Sequence, residues 1–281
     1  MRWPWPQVLL ALGMLGAVMQ PRWGADPEEI QARGVDLLVC LDVSWSMRAR
    51  DLSPDRLGFA REELEALLAE LGSDRIGLII FAGEAQRLAP LTTDHQAFRE
   101  LLAMASPERL RQEGTDLAAA LAQARELLAA SPGVQPTVLL LSDGEDRAGR
   151  GLEEARRCAD AGVVLHAFGI GTAGGGKITL VEEDGSESYL TDAAGEEVVT
   201  RLMPDSLRAI AETTGGGLIA RAADGEPTLP AWYREVLLPQ AQRGARLDAD
   251  LPRANRFQWP LGVALLGGLL LLAGTGRRRR G

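Results

Sequence analysis

Cysteine and histidine are scarce in this sequence, with two of each among 281 residues. So few cysteines argue against a fold that depends on a framework of disulfide bridges. Cys40 lies in the apolar run VDLLVCLDV and Cys158 in the helical run EEARRCADAG. We therefore expect each to be a buried thiol, with a disulfide between them as the alternative.

The sequence also lacks an excess of positive charge. Thirty Lys and Arg residues stand against 39 Asp and Glu residues, which gives a formal net charge of -9. Because phosphate backbones are bound by basic faces, an acidic chain of this kind argues against a nucleic-acid partner. The length and a hydrophobic content of 46% are enough for one sizeable domain between apolar ends.

Both ends of the chain carry apolar segments. Residues 257–276 contain no charged side chain and are followed by four arginines, which predicts a transmembrane helix with a basic cytoplasmic tail at 277–281. Residues 1–24 form a second apolar segment, either a membrane anchor or a signal peptide. The bulky Trp23 beside the small-residue cleavage candidate favours an uncleaved anchor. Either alternative places the intervening domain on the extracytoplasmic side of the membrane.

Between these ends, apolar runs of strand length alternate with helical periodicity, a pattern typical of a parallel sheet covered on both faces. The predicted strands are Val35–Val43, Ile76–Phe81, a short edge strand at Gln86–Leu88, Thr137–Leu141 and Val163–Ile170. The predicted helices are Arg56–Leu71, 94–104, 116–130 and Leu152–Ala161. This order predicts a doubly wound, mostly parallel, Rossmann-like α/β sheet, whose ligands normally bind at the carboxyl ends of the strands.

The periodicity changes after Gly171. Residues 177–201, which we call the excursion, predict a two-stranded β-hairpin with turn signals at Asp184-Gly185 and Ala194-Gly195. A helix at 204–214, a strand at 217–222 and an apolar helix at 229–238 then complete a domain over residues 33–240. Residues 241–256 form a polar linker to the C-terminal apolar segment.

Five oxygen-bearing side chains follow or precede these elements in a pattern that predicts a metal site. Asp42, Ser44 and Ser46 alternate directly after the first apolar strand, and continued extension would carry their side chains to one side. Asp143 follows the strand TVLLL, and Thr115 precedes a helix. Oxygen ligands with two carboxylates suit a hard cation such as Mg²⁺, with Mn²⁺ or Ca²⁺ as alternatives, and exclude a structural zinc. The remaining coordination position would attract an Asp or Glu carboxylate from a protein partner.

The motifs DVSWSM, EGTD and LLLSDGED resemble the metal-ion-dependent adhesion site of von Willebrand factor A domains. In that resemblance Asp42, Ser44, Ser46, Thr115 and Asp143 match the metal-coordinating positions. The longer segments RGVDLLVCLDVSWSMRARDLSPDRLGFARE and DRIGLIIFAGEAQRLAPLTTD, with NRFQWPLGVALL near the C-terminus, resemble the Bat aerotolerance membrane proteins. One departure is Trp45, where a basic or polar residue is expected.

The resemblance implies a von Willebrand factor A fold on the periplasmic side of a bacterial inner membrane. It also implies a non-enzymatic adhesion or scaffold role, with association with MoxR-type AAA+ ATPases and other Bat-like membrane proteins in chaperone-like assembly or envelope stress tolerance. These statements follow from the resemblance and not from composition or spacing.

The residues offer two rival interpretations. Gly171–Ile178 (GTAGGGKI) nearly spells a phosphate-binding loop, but Ile178 replaces the required hydroxyl and a strand pattern follows in place of a helix. The rival from another class is a metal-assisted hydrolase that uses the same site, with Ser44 or Ser46 as nucleophile. Its weakness is that no base is evident beside either serine, because His95 lies in TTDHQAF and His166 inside an apolar strand.

Overall fold

The computed structural model of this protein describes residues 5–25, 35–129, 136–181, 185–221, 226–241 and 253–276. The chain divides into two compact units, Met1–Ala32 with Arg246–Gly281 and Arg33–Ala245. The described helices are α1 (Trp5–Val18), α2 (Arg56–Leu68), α3 (His95–Ala103), α4 (Leu117–Ala129), α5 (Gly151–Asp160), α6 (Pro204–Thr213), α7 (Thr228–Trp232, extended by a π-helical turn at Tyr233–Leu237) and α8 (Gln258–Gly276). The described strands are β1 (Arg22–Ala25), β2 (Asp36–Asp42), β3 (Arg75–Phe81), β4 (Ala85–Thr92), β5 (Pro136–Ser142), β6 (Val164–Gly169), β7 (Gly176–Lys177), β8 (Thr179–Val181), β9 (Glu187–Tyr189), β10 (Val199–Thr200), β11 (Leu218–Ile219) and β12 (Arg253–Asn255).

The larger unit is built on a six-stranded sheet with the order β11-β6-β5-β2-β3-β4. All neighbouring strands in it run parallel except β4, which is antiparallel to β3. The prediction of a mostly parallel α/β sheet is therefore confirmed. The chain leaves β2 toward β3 on one side and later adds β5 on the other, so the topological switch point lies between β2 and β5, where open α/β sheets place their ligands.

Both faces of this sheet are buried, which explains its apolar strands. Successive side chains of a strand point to opposite faces, and those of β2 divide accordingly. Leu37, Val39 and Leu41 pack on the face covered by α2, α3 and α7. Leu38 and Cys40 pack on the face covered by α4, α5 and α6. A strand that is buried on both faces has a continuous run of apolar residues. The central position of β2 in the sheet therefore follows from its sequence.

Three expectations need correction. The edge strand predicted at Gln86–Leu88 extends over Ala85–Thr92, because backbone pairing with β3 continues through residues with no apolar pattern. The excursion forms two separate ladders, β7 with β10 and β8 with β9, in place of one hairpin. The alternative of a disulfide is wrong, since both cysteines are free and buried.

In the part of the smaller unit that the structure describes, two helices pack together and two strands pair. β1 and β12 form an antiparallel ladder. The backbones of α1 and α8 approach so closely that a Cβ on Gly13 would lie 2.5 Å from the amide nitrogen of Ala264, and a Cβ on Gly267 2.7 Å from that of Leu10. Glycine is required at both positions.

The structure does not support the predicted transmembrane helices. Within the residues it describes, no helix combines the length and the apolar character needed to cross a membrane.

Candidate metal centre

Asp42 joins the carboxyl ends of two neighbouring parallel strands. It is the last residue of β2 and is fully buried. Its Oδ1 accepts a hydrogen bond from the Ser44 backbone amide at 2.9 Å, and its Oδ2 accepts one from the Ser142 hydroxyl at 2.7 Å. Ser142 ends β5 and was missed by the sequence analysis, although it directly precedes Asp143. The carboxylate is thus fixed at the switch point of the sheet.

Ser44 and Ser46 lie beside Asp42 but not through continued extension of the strand. Ser44 is extended, and a 3-10 helix begins at Trp45 and includes Ser46. The expected alternation therefore ends at Ser44, because the chain must turn over the end of the sheet. The helical turn still brings the two hydroxyls together, with 3.0 Å between their Oγ atoms. Both side chains are buried.

Asp143 reaches the same place from β5. Its Oδ1 accepts from the Glu145 amide at 3.1 Å, and its Oδ2 accepts from Arg56 Nη1 at 3.0 Å. The next residue must be glycine, because Gly144 has a φ of +84° and a Cβ there would lie 2.5 Å from the Met203 carbonyl oxygen. The buried carboxylate is therefore held in one orientation by backbone and side-chain donors.

Thr115 completes the predicted set. It is buried just before α4, and its carbonyl accepts from the Arg147 amide at 3.1 Å. Thr115 lines the same cleft as Ser44 and Ser46. The structure thus brings together, at one edge of the sheet, the side chains that the sequence predicted as ligands.

The two carboxylates destabilise each other when no cation is present. Burial, followed by the charge of Asp143, raises the pKa of Asp42 to about 7, although hydrogen bonds from Ser44 and Ser142 act in the opposite direction. Burial also raises the pKa of Asp143, against hydrogen bonds from Ser46 and the Glu145 amide. A divalent cation between them would offset this repulsion. The donors are oxygens alone, so they fit a hard cation.

This cluster differs from a metal site built mainly of carboxylates, imidazoles or thiolates. Among the residues that the structure describes, no group of three or more His, Cys, Asp and Glu side chains is arranged to hold a metal ion. Hydroxyls would have to supply part of the coordination here.

Arg56, predicted from the sequence only as the first residue of a helix, is a fully buried cation beside this cluster. Its guanidinium donates to both oxygens of Asp51, at 2.8 and 3.0 Å, and to Asp143. It also donates to the Thr200 carbonyl at 3.1 Å. A signal existed in the sequence, since Arg56 precedes Ala60 by four residues on the apolar face of α2. A charge on that face has to be paired when it is buried.

The two histidines and the glycine-rich segment Gly171–Ile178 do not contribute to this cluster of carboxylates and hydroxyls. His95 Nε2 is 3.0 Å from the carbonyl oxygen of Asp74, just before the start of β3 and so at the amino ends of the strands. The His166 ring packs against Trp232, with 5.2 Å between ring centroids. Neither is placed to take a proton from Ser44 or Ser46. A strand, β7, follows Gly171 where a phosphate-binding loop requires a helix.

A family model of the von Willebrand factor type A domain matches residues 37–145. These residues form a von Willebrand factor type A domain. The matched segment contains all five predicted ligands, and the surrounding unit, Arg33–Ala245, is called the A domain below.

The relatives of this A domain agree with the Bat resemblance. The crystal structure of the conserved hypothetical protein BatB from Bacteroides thetaiotaomicron has a TM-score of 0.68 at 29% identity, covering 75% of this chain and 100% of that one. An aerotolerance-related membrane protein from Bacteroides fragilis has a TM-score of 0.65 at 28% identity, covering 75% and 99%. A UPF0353 protein of Mycolicibacterium paratuberculosis is 26% identical over 227 residues, which are 76% of this chain and 64% of that protein.

A more distant structure shares the fold of the A domain and holds a metal. Proximal thread matrix protein 1 from the mussel byssus, with a zinc-occupied MIDAS motif, has a TM-score of 0.51 at 15% identity and covers 75% of this chain and 46% of its own.

Proposed function

We propose that the A domain binds one divalent cation through Asp42, Ser44, Ser46, Thr115 and Asp143, and uses it to capture a carboxylate of a protein partner. The observation that carries this proposal is the pair of buried carboxylates, Asp42 and Asp143, which meet serine hydroxyls at the switch point of the sheet. Arg56 compensates Asp143, but the partners described for Asp42 are the neutral Ser44 amide and Ser142 hydroxyl, and a buried carboxylate that no cation compensates is costly.

The charge balance favours an acidic ligand. Mg²⁺ prefers six oxygens in octahedral geometry, so protein side chains at five positions would leave one for a partner. Arg56 donates to Asp143 Oδ2, which draws part of that carboxylate's charge away from the cation. The bound metal would therefore remain electrophilic enough to attract an Asp or Glu side chain. Mg²⁺ is the cation we propose, and Mn²⁺, Ca²⁺ and zinc are the ions to compare with it.

Calorimetric titration of the purified full chain with MgCl₂ tests the metal site. We expect saturable binding of one ion, lost in Asp42→Ala. Asp205→Ala is the matched control, because Asp205 is an exposed residue of α6 paired with Arg208 and its removal should leave binding unchanged. Equal binding by wild type and Asp42→Ala would contradict the proposal.

We further propose a membrane setting for this function. The uncharged segment at 257–276 and the similarity to an aerotolerance-related membrane protein support attachment to the bacterial inner membrane, with the A domain on the periplasmic side. Resistance of the chain to extraction from membranes by alkaline carbonate, and cleavage of the A domain by protease added to spheroplasts, are the expected results. Release of intact chain by carbonate would contradict attachment through an apolar segment inserted in the bilayer.

The resemblance also supports a place in a chaperone-like or stress-tolerance assembly with other Bat-like proteins and a MoxR-type ATPase. Affinity capture from cross-linked membranes tests it, with Asp42→Ala and EDTA as parallel arms. Partners that depend on the metal should be lost in both arms, whereas their retention in both would contradict a metal-dependent contact.

A further inference from the structure

The excursion is fixed to the loop that carries the metal-site serines. Arg50 donates two hydrogen bonds of 2.7 Å each to the carboxylate of Glu187 in β9. Ile178, between β7 and β8, pairs with Ala49 in an isolated antiparallel bridge and is buried. The position of the excursion is thus set by contacts within four residues of Ser46.

A second set of contacts fixes the base of the excursion to Asp143. Thr200 in β10 donates through its hydroxyl to Glu145 Oε1 at 2.8 Å, and the same hydroxyl lies 3.3 Å from Asp143 Oδ2. Arg56 donates to both the carbonyl and the hydroxyl of Thr200. The excursion is therefore part of the wall of the candidate metal centre, held from two sides.

The cleft between this wall and the ligand loops is small and has an apolar side. It has a volume of about 100 Å³, enough for the end of one side chain. Ser44, Ser46 and Thr115 line it together with Trp45, Ile178 and Leu190. We call the last three residues the collar. Trp45, which departs from the family pattern, acquires a role here as one member of this collar.

The remaining lining is acidic. Glu113, Glu145 and Arg147 line the rest of the cleft together with Gly114, and Arg147, 68% exposed, lies 3.7 Å from Glu145. Two carboxylates against one cation would repel an incoming acidic side chain unless a metal ion is bound. They would also disfavour a second acidic side chain next to the first, since like charges in a partly buried cleft are costly.

We infer that the collar makes this site selective for an Asp or Glu whose neighbouring residue is a bulky apolar one, and that Glu113 and Glu145 reject acidic clusters. The inference rests on the proposed carboxylate capture and adds the chemistry of the partner segment. The acidic side chain enters the cleft, and the adjacent apolar side chain packs on Trp45 and Leu190 of the collar.

A peptide array tests this selectivity. The full chain, purified in mild detergent, is applied to synthetic peptides with a fixed central Asp and a varied residue on either side, in Mg²⁺ or in EDTA. We expect Mg²⁺-dependent retention, with Leu, Ile or Phe beside the Asp preferred about tenfold over Ser, the effect of burying one such side chain. Leu190→Ser and Trp45→Ser should each remove most of this preference while Mg²⁺ binding by calorimetry stays the same.

Tyr189→Ser is the matched control. Tyr189 adjoins Leu190, but its ring lies beside Lys177, 4.8 Å from Nζ, and does not line the cleft. The Tyr189→Ser variant should keep the preference for peptides with an apolar residue beside the Asp. Because Trp45 and Leu190 are partly exposed, their variants should fold, and thermal melting checks this.

A charge variant provides a second measurement. Glu113 is exposed at the rim of the cleft, so Glu113→Gln should fold and should increase retention of peptides with a second Asp by about threefold, in line with a modest surface charge effect. Unchanged rejection of these peptides in Glu113→Gln would overturn the role of Glu113.

The outcomes separate the two proposals. Mg²⁺-dependent retention without an apolar preference, or with a preference that Leu190→Ser and Trp45→Ser leave intact, overturns the collar but leaves carboxylate capture standing. Mg²⁺ binding with no retention of any Asp peptide overturns carboxylate capture, and the collar inference with it.

Discussion

At the scale of single residues, Arg56 links the candidate metal centre to the rest of the A domain. Its guanidinium is fully buried and bonds Asp51, Asp143 and Thr200. Truncation would leave two buried carboxylates without their cation, and the loss of one partner of a buried pair usually costs about 3–5 kcal/mol. We expect Arg56→Met to lower the free energy of unfolding in urea by about that amount.

Arg48 provides the comparison for that measurement. It is partly exposed and lies 3.3 Å from Glu108, so Arg48→Met should cost less than about 1 kcal/mol. Equal losses of unfolding free energy in Arg56→Met and Arg48→Met would mean that the buried network of Arg56 stabilises the fold no more than an exposed ion pair does.

The cysteines should be unreactive in the folded protein. Burial raises the pKa of the Cys158 thiol to about 11 and also raises that of Cys40, so little thiolate exists near pH 8 and a reagent has no access to it. We expect two thiols to react with Ellman's reagent only after urea is added. Rapid labelling of either thiol in the absence of urea would contradict the burial of both.

His166 makes the stability of the A domain depend on pH. Burial lowers its pKa, while a hydrogen bond with Gln240 acts in the opposite direction. The unfolded chain, with an ordinary histidine pKa of about 6.5, then binds a proton more readily than the folded one. Its contribution to stability is present above about pH 6.5 and is lost as the pH falls toward the lowered value.

Urea unfolding at pH 7 and pH 5 measures this effect. His166→Gln should show a smaller loss of stability between the two pH values than wild type. A loss in His166→Gln equal to that of wild type would show that other groups cause the acid sensitivity.

At the scale of elements, α7 depends on a carboxylate from another helix. No side chain caps its first turn from its own N-cap, Pro227. The buried Glu63 of α2 accepts from the Thr228 amide at 2.8 Å and from the Leu229 amide at 2.9 Å. It thus satisfies helix-end donors and places negative charge at the positive end of the helix.

Glu63→Gln should therefore destabilise α7 by about 1–2 kcal/mol, because the charge is lost while an amide oxygen remains as an acceptor. Hydrogen exchange of the Thr228, Leu229, Ala231 and Trp232 amides should accelerate more than exchange in α4. The exposed Glu153 of α5, paired with Arg157, is the control position, and acceleration in Glu153→Gln equal to that in Glu63→Gln would contradict the cap.

The contrast between β2 and the excursion shows what periodicity can predict. β2 and β5 are buried on both faces, so their position and the carboxylates that follow them could be read from apolar runs. The strands of the excursion have two or three residues each. They are too short to show the alternation of apolar and polar residues by which a strand is recognised in a sequence. Arg56 and Ser142 were not predicted as parts of the site, because a polar residue is assumed to be exposed until the tertiary structure shows that it is buried. Their partners in the site, Asp143 and Asp42, are 87 and 100 residues away in the chain.

At the scale of the whole molecule, metal binding should couple to global stability. A ligand that binds the folded state alone, at a hundred times its Kd, adds about 2.7 kcal/mol, which corresponds to a rise in Tm of roughly 5–10 °C for a domain of this size. We expect this rise with Mg²⁺ in wild type and in Asp205→Ala. Asp42→Ala should show none, and an equal rise there would place the stabilising ion elsewhere.

The division of the chain into two units has a consequence for proteolytic shedding. The chain passes from the smaller unit into the A domain and returns to the smaller unit, whose parts are Met1–Ala32 and Arg246–Gly281. A single cut in either crossing would leave the A domain covalently attached through the other. A protease would therefore have to cut both crossings to separate the A domain from the smaller unit. One cut would release a domain that is joined by a single crossing, but it would not release this one.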